Sequence, residues 1–81
     1  MGRYFFHLRD GPTSAPDEEG VELDGPDSVV ETALTGARSI ISHDAREGVI
    51  DLTGRIEVTD VEGRVIFVLP FTDAVQVKGS S

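Results

Sequence analysis

Pro26-Asp-Ser-Val-Val-Glu-Thr-Ala-Leu-Thr-Gly-Ala-Arg-Ser-Ile-Ile-Ser-His-Asp-Ala-Arg-Glu47 carries the longest regular apolar pattern in the chain. Its apolar positions Val29, Val30, Ala33, Leu34, Ala37, Ile40 and Ile41 step by one, three or four residues. That spacing predicts an amphipathic helix lying on a sheet. Pro26 suits the first helical position, where a missing N–H costs nothing, with Asp24 or Gly25 as the cap. Asp27 and Glu31 favour the positive end of the helix dipole, His43 and Arg46 the negative end, and Gly48 is placed to stop the helix. At about 1.5 Å per residue such a helix reaches roughly 33 Å, longer than an ordinary strand, so one end is expected to overhang and is a candidate dimer contact.

C-terminal to the helix, Arg55 to Thr59 alternates Ile56 and Val58 against Glu57 and Thr59 and reads as a strand. Asp60-Val61-Glu62-Gly63 has the composition of a type I turn, and Arg64 to Leu69 completes a hairpin. Val65, Ile66, Phe67, Val68 and Leu69 are apolar on both faces, which predicts a strand covered twice. One helix covers one side. The second cover is either the tail from Phe71 to Val77 folding back, redirected by Pro70, or a second copy of the chain. Within that tail Ala74, Val75 and Val77 suit a short edge strand or a helical turn.

N-terminal to the helix, Arg3 to Arg9 alternates Tyr4, Phe6 and Leu8 with Phe5, His7 and Arg9. Asp10-Gly11-Pro12 ends this strand, Thr13 to Glu19 is a polar loop, and Gly20 to Leu23 returns as a short antiparallel strand with Val21 and Leu23 toward the core. The order is β-β-α-β-β. It predicts an α+β fold of two layers, an antiparallel sheet of three to four strands on one long helix. Residues 1–77 are expected to form one domain and 78–81 a disordered tail.

The chain has 81 residues, with seven Lys and Arg against fifteen Asp and Glu, for a net charge of -8. Too few clustered cations are present to track phosphates, so nucleic acid is not expected as a ligand. The whole acidic excess lies between Asp10 and Glu31, where Asp10, Asp17, Glu18, Glu19, Glu22, Asp24, Asp27 and Glu31 meet no Lys or Arg. Such a block reads as a solvated surface or as a contact for a basic partner. There is no cysteine, hence no disulfide and no thiolate chemistry, and a chain this small is expected to be marginally stable without help, of which a homodimer is one common form. No apolar run is long enough to serve as a signal peptide or to span a bilayer, so no membrane association is expected and cytoplasmic residence is the default expectation.

Arg3-Tyr4-Phe5-Phe6-His7-Leu8-Arg9-Asp10-Gly11, with Asp17-Glu18-Glu19-Gly20-Val21-Glu22-Leu23 and later Ile56-Glu57-Val58-Thr59-Asp60 and Glu62-Gly63-Arg64-Val65, resembles an uncharacterised family of small bacterial proteins. Members open with an Arg-Tyr-Phe-Phe strand ending Asp-Gly and carry an acidic Asp-Glu-Glu-Gly stretch ahead of a helix. The resemblance runs from about Arg3 to Val75 and implies the same element order and no catalytic residue. Gly25-Pro26-Asp27 departs from the helix-favouring run expected there. Val30-Glu31-Thr32-Ala33-Leu34 after the acidic turn is also similar, more loosely, to the HicB-type antitoxins, which bind a basic toxin.

No pattern specifies chemistry. His7 would need a nucleophile or acid within reach, and Ser42, His43 and Asp44 lie on another element. His43 with Asp44 or Glu47 lacks the second histidine of a zinc helix. Counting an EF-hand from Asp17 puts Glu22 at the glycine position and Ser28 at the final ligand position, so the match fails. No catalytic residue, cofactor site or metal site is therefore assigned. The expected function is a non-enzymatic interaction module, a homodimer whose self-association residues are Phe5, His7, Ile66 and Val68. The alternatives are an antitoxin-like adaptor that binds a basic protein through Asp17, Glu18, Glu19 and Glu22, and a small ligand-binding protein or enzyme using His7 and Arg9.

Overall fold

A helix with one apolar stripe needs one apolar sheet face, and the computed structural model, which describes residues 2–11 and 14–76, supplies it. The elements run β1 (Gly2–Arg9), β2 (Val21–Leu23), α1 (Pro26–Arg46), β3 (Arg55–Thr59), β4 (Val65–Pro70) and a single helical turn, α2 (Phe71–Ala74). All strand pairings are antiparallel and the sheet order is β2-β1-β3-β4. This is the two-layer α+β fold with one long helix that the patterning predicts.

Strand register explains the core. Phe6 pairs with Val58, which pairs with Phe67, and Leu8 pairs with Ile56, which pairs with Leu69. Those two apolar rows lie on one face, and α1 packs mainly over β3 and β4. Val29, Ala33, Ala37 and Ile41, four residues apart, form the buried side of α1. The two alanines let the helix sit close to the sheet at the density of a packed interior. The helix begins at Pro26 with Gly25 as its cap and no side-chain cap bond, and it ends at Arg46 with Glu47 as the C-cap. Beyond Ile41 the last turn is mostly exposed, so the C-terminal end overhangs the strands.

The tail takes the helical option. Phe71 and Ala74 are buried in the same cluster as α1 and β3, and Arg38 of α1 donates from Nε to the Ala74 carbonyl at 2.8 Å. Phe71 N–H donates to the Gly54 carbonyl at 3.0 Å. A Cβ on Gly54 would lie 2.8 Å from the Phe71 ring, so only glycine admits this approach. As far as Gln76 the tail therefore thickens the helix side and does not cover the other face of β4. Val77 and the tail 78–81, for which disorder is expected, lie outside the described residues.

Three details differ from the patterning. β2 starts at Val21, not Gly20, and Val21 is 37% exposed, whereas Leu23 at the other end of the strand packs against the core. Val30, on the flank of the helix stripe, is also exposed. Thr59, on the polar side of β3, is only 8% exposed, because His7 of β1 closes over it.

The hairpin turn forms as its composition predicts, with Gly63 N–H donating to the Asp60 carbonyl at 3.0 Å. It then adds a bulge: Val58 pairs with Phe67 but Thr59 with Val65, leaving Ile66 without a partner in β3.

Phe71 and Val58 are the largest fully buried side chains. Phe71→Ala is expected to cost about 3–5 kcal/mol, much of the stability of a small domain, read as a lower urea midpoint by circular dichroism. A midpoint within error of the parent would show that α2 does not close the core.

Candidate functional site

Among the described residues, no helix packs on the other sheet face. Register places Arg3, Phe5, His7 and Arg9 of β1, Glu57 and Thr59 of β3, and Val65 and Val68 of β4 on that face. Over β1 it is roofed by the loop that leads to β2. The Asp17 carboxylate accepts the backbone N–H of Phe6 through Oδ2 at 3.1 Å, and those of Glu19 and Gly20 through Oδ1 at 3.2 and 3.1 Å. Asp17 N–H in turn donates to His7 Nδ1 at 3.1 Å.

Since a backbone N–H can only donate, Nδ1 of His7 is the bare nitrogen in this arrangement. Nε2 then carries the proton and donates to Thr59 Oγ1 at 2.9 Å. Gly20 holds φ +72, and a Cβ there would come within 2.8 Å of the Tyr4 carbonyl and 2.9 Å of the Phe5 ring. Only glycine fits. The Phe5 and His7 rings stack at 6.5 Å beside this turn.

Partial burial pushes the Asp17 carboxyl upward, but the N–H groups of Phe6, Gly20 and Glu19 that it accepts outweigh it. The net effect holds Asp17 below its ordinary value of 3.8.

The four candidate partner-binding acids thus separate. Asp17 is occupied by the loop it fastens, whereas Glu18, Glu19 and Glu22 are exposed, with Glu22 paired to Arg3 at 3.3 Å. His7 and Arg9 are likewise engaged within the fold, Arg9 with Glu57 at 3.4 Å. Ser42, His43 and Asp44 belong to α1, across the sheet from His7, so they do not assemble with it. His43 lies 3.9 Å from Glu47 of its own helix. Among the described residues, no three His, Cys, Asp or Glu side chains come together as metal ligands, and no helix is long and apolar enough to cross a membrane.

The four candidate self-association residues also separate. Phe5 and His7 lie under and beside the loop. Val68 shares their face two strands away, at the sheet edge. Ile66, shifted by the bulge, borders an apolar hollow on the helix side with Tyr4, Pro26, Val29, Val30 and Phe67. β4 is therefore an edge strand in which Val65, Ile66 and Val68 are 54%, 48% and 40% exposed.

Sequence patterning missed the Asp17–His7–Thr59 clamp. Its one local signal is Asp17 followed by Gly20, the spacing of an aspartate that bonds backbone N–H groups two and three residues on.

Residues 3–72 match a family described as a domain of unknown function (DUF6894). No curated protein and no solved structure matches the chain.

Because the folded-state Asp17 carboxyl is held below 3.8, its stabilisation is complete above that pH and lost as pH falls through the lower folded value. Asp17→Asn is expected to cost about 1–2 kcal/mol at neutral pH, reduced from the usual value for hydrogen bonds to a charged group because solvent screens the partly exposed site. Urea denaturation across pH should show the gap between variant and parent closing in acid. A gap independent of pH would remove the carboxylate from the account.

Proposed function

The chain belongs to the DUF6894 family, and on that premise we propose that it is a non-enzymatic protein-interaction module that self-associates through the β4 side of its sheet. The observation that carries this reading is the apolar edge strand: Val65, Ile66 and Val68 stand exposed on a six-residue strand with no charged side chain. Natural edge strands are ordinarily blunted by charge, proline, a bulge, short length or a covering element. β4 has Pro70 and a bulge but no charge. An exposed apolar strand of this kind marks a contact surface.

Val65→Lys with Val68→Lys places two cations on this strand without touching the inward-facing Phe67 and Leu69 row. Sedimentation equilibrium from low to high micromolar concentration should show the parent forming dimers and the double variant remaining monomeric, with similar melting temperatures. A parent that is monomeric throughout would overturn self-association.

A second reading uses the opposite edge. By fastening the loop, Asp17 holds Glu18 and Glu19 in solvent beside Glu22, an arrangement that supports an adaptor role toward a basic protein. Glu18→Gln with Glu19→Gln and Glu22→Gln keeps the clamp and removes the charge. Titration with a basic polypeptide at low salt should show at least tenfold weaker binding by this variant, and equal binding would dismiss the acidic surface.

A further inference from the structure

We infer that the partner on β4 is a second copy of this chain, added antiparallel along the free edge with Val68 opposite Val68 of the second copy, so that two four-stranded sheets join into one of eight. This rests on the self-association reading and specifies its geometry: strand addition at the edge, rather than stacking of the uncovered faces.

Backbone direction comes first. Phe71 N–H bonds the Gly54 carbonyl, and the pairings Ile56 with Leu69 and Val58 with Phe67 continue that register. In an antiparallel pair the backbone groups of alternate residues point to the same side. Those of Phe67, Leu69 and Phe71 point to β3, and those of Val68 and Pro70 point outward. Val68 therefore offers an N–H and a carbonyl at the free edge. Pro70 sits where its missing N–H breaks no bond to β3, the placement proline takes in edge strands. What fits such an edge is an extended strand, because only a strand presents donors and acceptors at the matching repeat.

Charge selects the occupant. From Val65 to Pro70 β4 carries no charged side chain, so it offers a basic or an acidic peptide no counter-charge. β4 itself is a neutral, apolar strand that fits it, and the pairing is its own complement about a twofold axis through Val68. Phe67 then lies opposite Leu69 of the second copy on the helix side.

The net charge of -8 opposes association of two copies in general, but Glu18, Glu19 and Glu22 sit on the loop and β2, at the opposite edge of the sheet, while Asp27 and Glu31 stand exposed on α1. In an eight-stranded sheet the two outer strands stand about 34 Å apart, seven spacings of roughly 4.8 Å. That is several times the ~8 Å screening length in physiological salt. Pairing through β2 would instead bring Glu18, Glu19 and Glu22 of both copies together on a strand of only three residues. A twofold pairing of β4 is also closed: it consumes both apolar edges and leaves two short acidic ones, so it stops at a dimer.

The test separates the edge from the face. Val68→Pro removes the outward N–H, keeps an apolar side chain and leaves the β3 ladder intact, whereas Val68→Thr keeps both the N–H and the branched shape. Sedimentation should find the parent and Val68→Thr dimeric and Val68→Pro monomeric. Amide hydrogen exchange followed by NMR should show the Val68 N–H of the parent slowed about tenfold or more between low and high protein concentration.

A parent dimer that survives Val68→Pro, with a Val68 amide that exchanges at the same rate at every concentration, would overturn edge pairing while leaving self-association standing. A parent that never dimerises would overturn both. If Val68→Pro does not fold, the exchange of the parent amide alone decides: slowing with concentration supports edge pairing, and no slowing overturns it.

Discussion

The packing of α1 on the paired rows of β1, β3 and β4 is the interaction on which everything else depends. Val29, Ala33, Ala37 and Ile41 meet Ile56, Val58 and Leu69, residues brought together from the middle and the end of the chain. One helix has one stripe and covers one face. The rest of the molecule follows from how that limit is met. The turn α2 extends the cover by burying Phe71 at the end of the sheet, and the loop between β1 and β2 shelters part of the far face. β4 keeps one face and one edge in solvent.

The two edges of the sheet are opposite in character. At β2 a short strand lies beside exposed carboxylates, in a loop fastened by Asp17, His7 and Thr59. At β4 a longer strand without charge exposes valine and isoleucine. An acidic edge resists addition of another acidic chain, and a neutral apolar edge does not. The loop is held by the Leu8–Ala15 backbone pair, by the Arg3 guanidinium on the Glu19 carbonyl and by a carboxylate that collects three backbone N–H groups, so one acid of a segment rich in like charge helps to fix its shape. Asp17 is an acid of that segment that turns inward.

Much of the architecture was legible because its signals are local. The 3.6-residue stripe from Val29 to Ile41, the alternation from Tyr4 to Leu8 and the Asp60 to Gly63 turn each depend on neighbours within a few residues. The candidate sites were not legible in the same way. His7 was placed on the correct face, yet its partners Asp17 and Thr59 come from a loop and from a strand some fifty positions away, a meeting set by the pairing of β1 with β3. Ile66 and Val68, two apart in a strand, are expected to share a face. The bulge separates them, and it arises from how the hairpin closes against Thr59, which no periodicity encodes.

By itself the sequence determined the element order, the helix stripe, the doubly apolar strand and the concentration of acid between Asp10 and Glu31, because each is written in spacing or composition along a contiguous stretch. The packing of the tail under α1 instead of over β4, the place of β4 at one sheet edge and the place of Glu18, Glu19 and Glu22 beside the other emerge only in the folded chain. Those outcomes depend on which strands neighbour one another and on where a single helix comes to rest. Both are set by the competition of distant apolar surfaces for the same cover, a property of the folded whole.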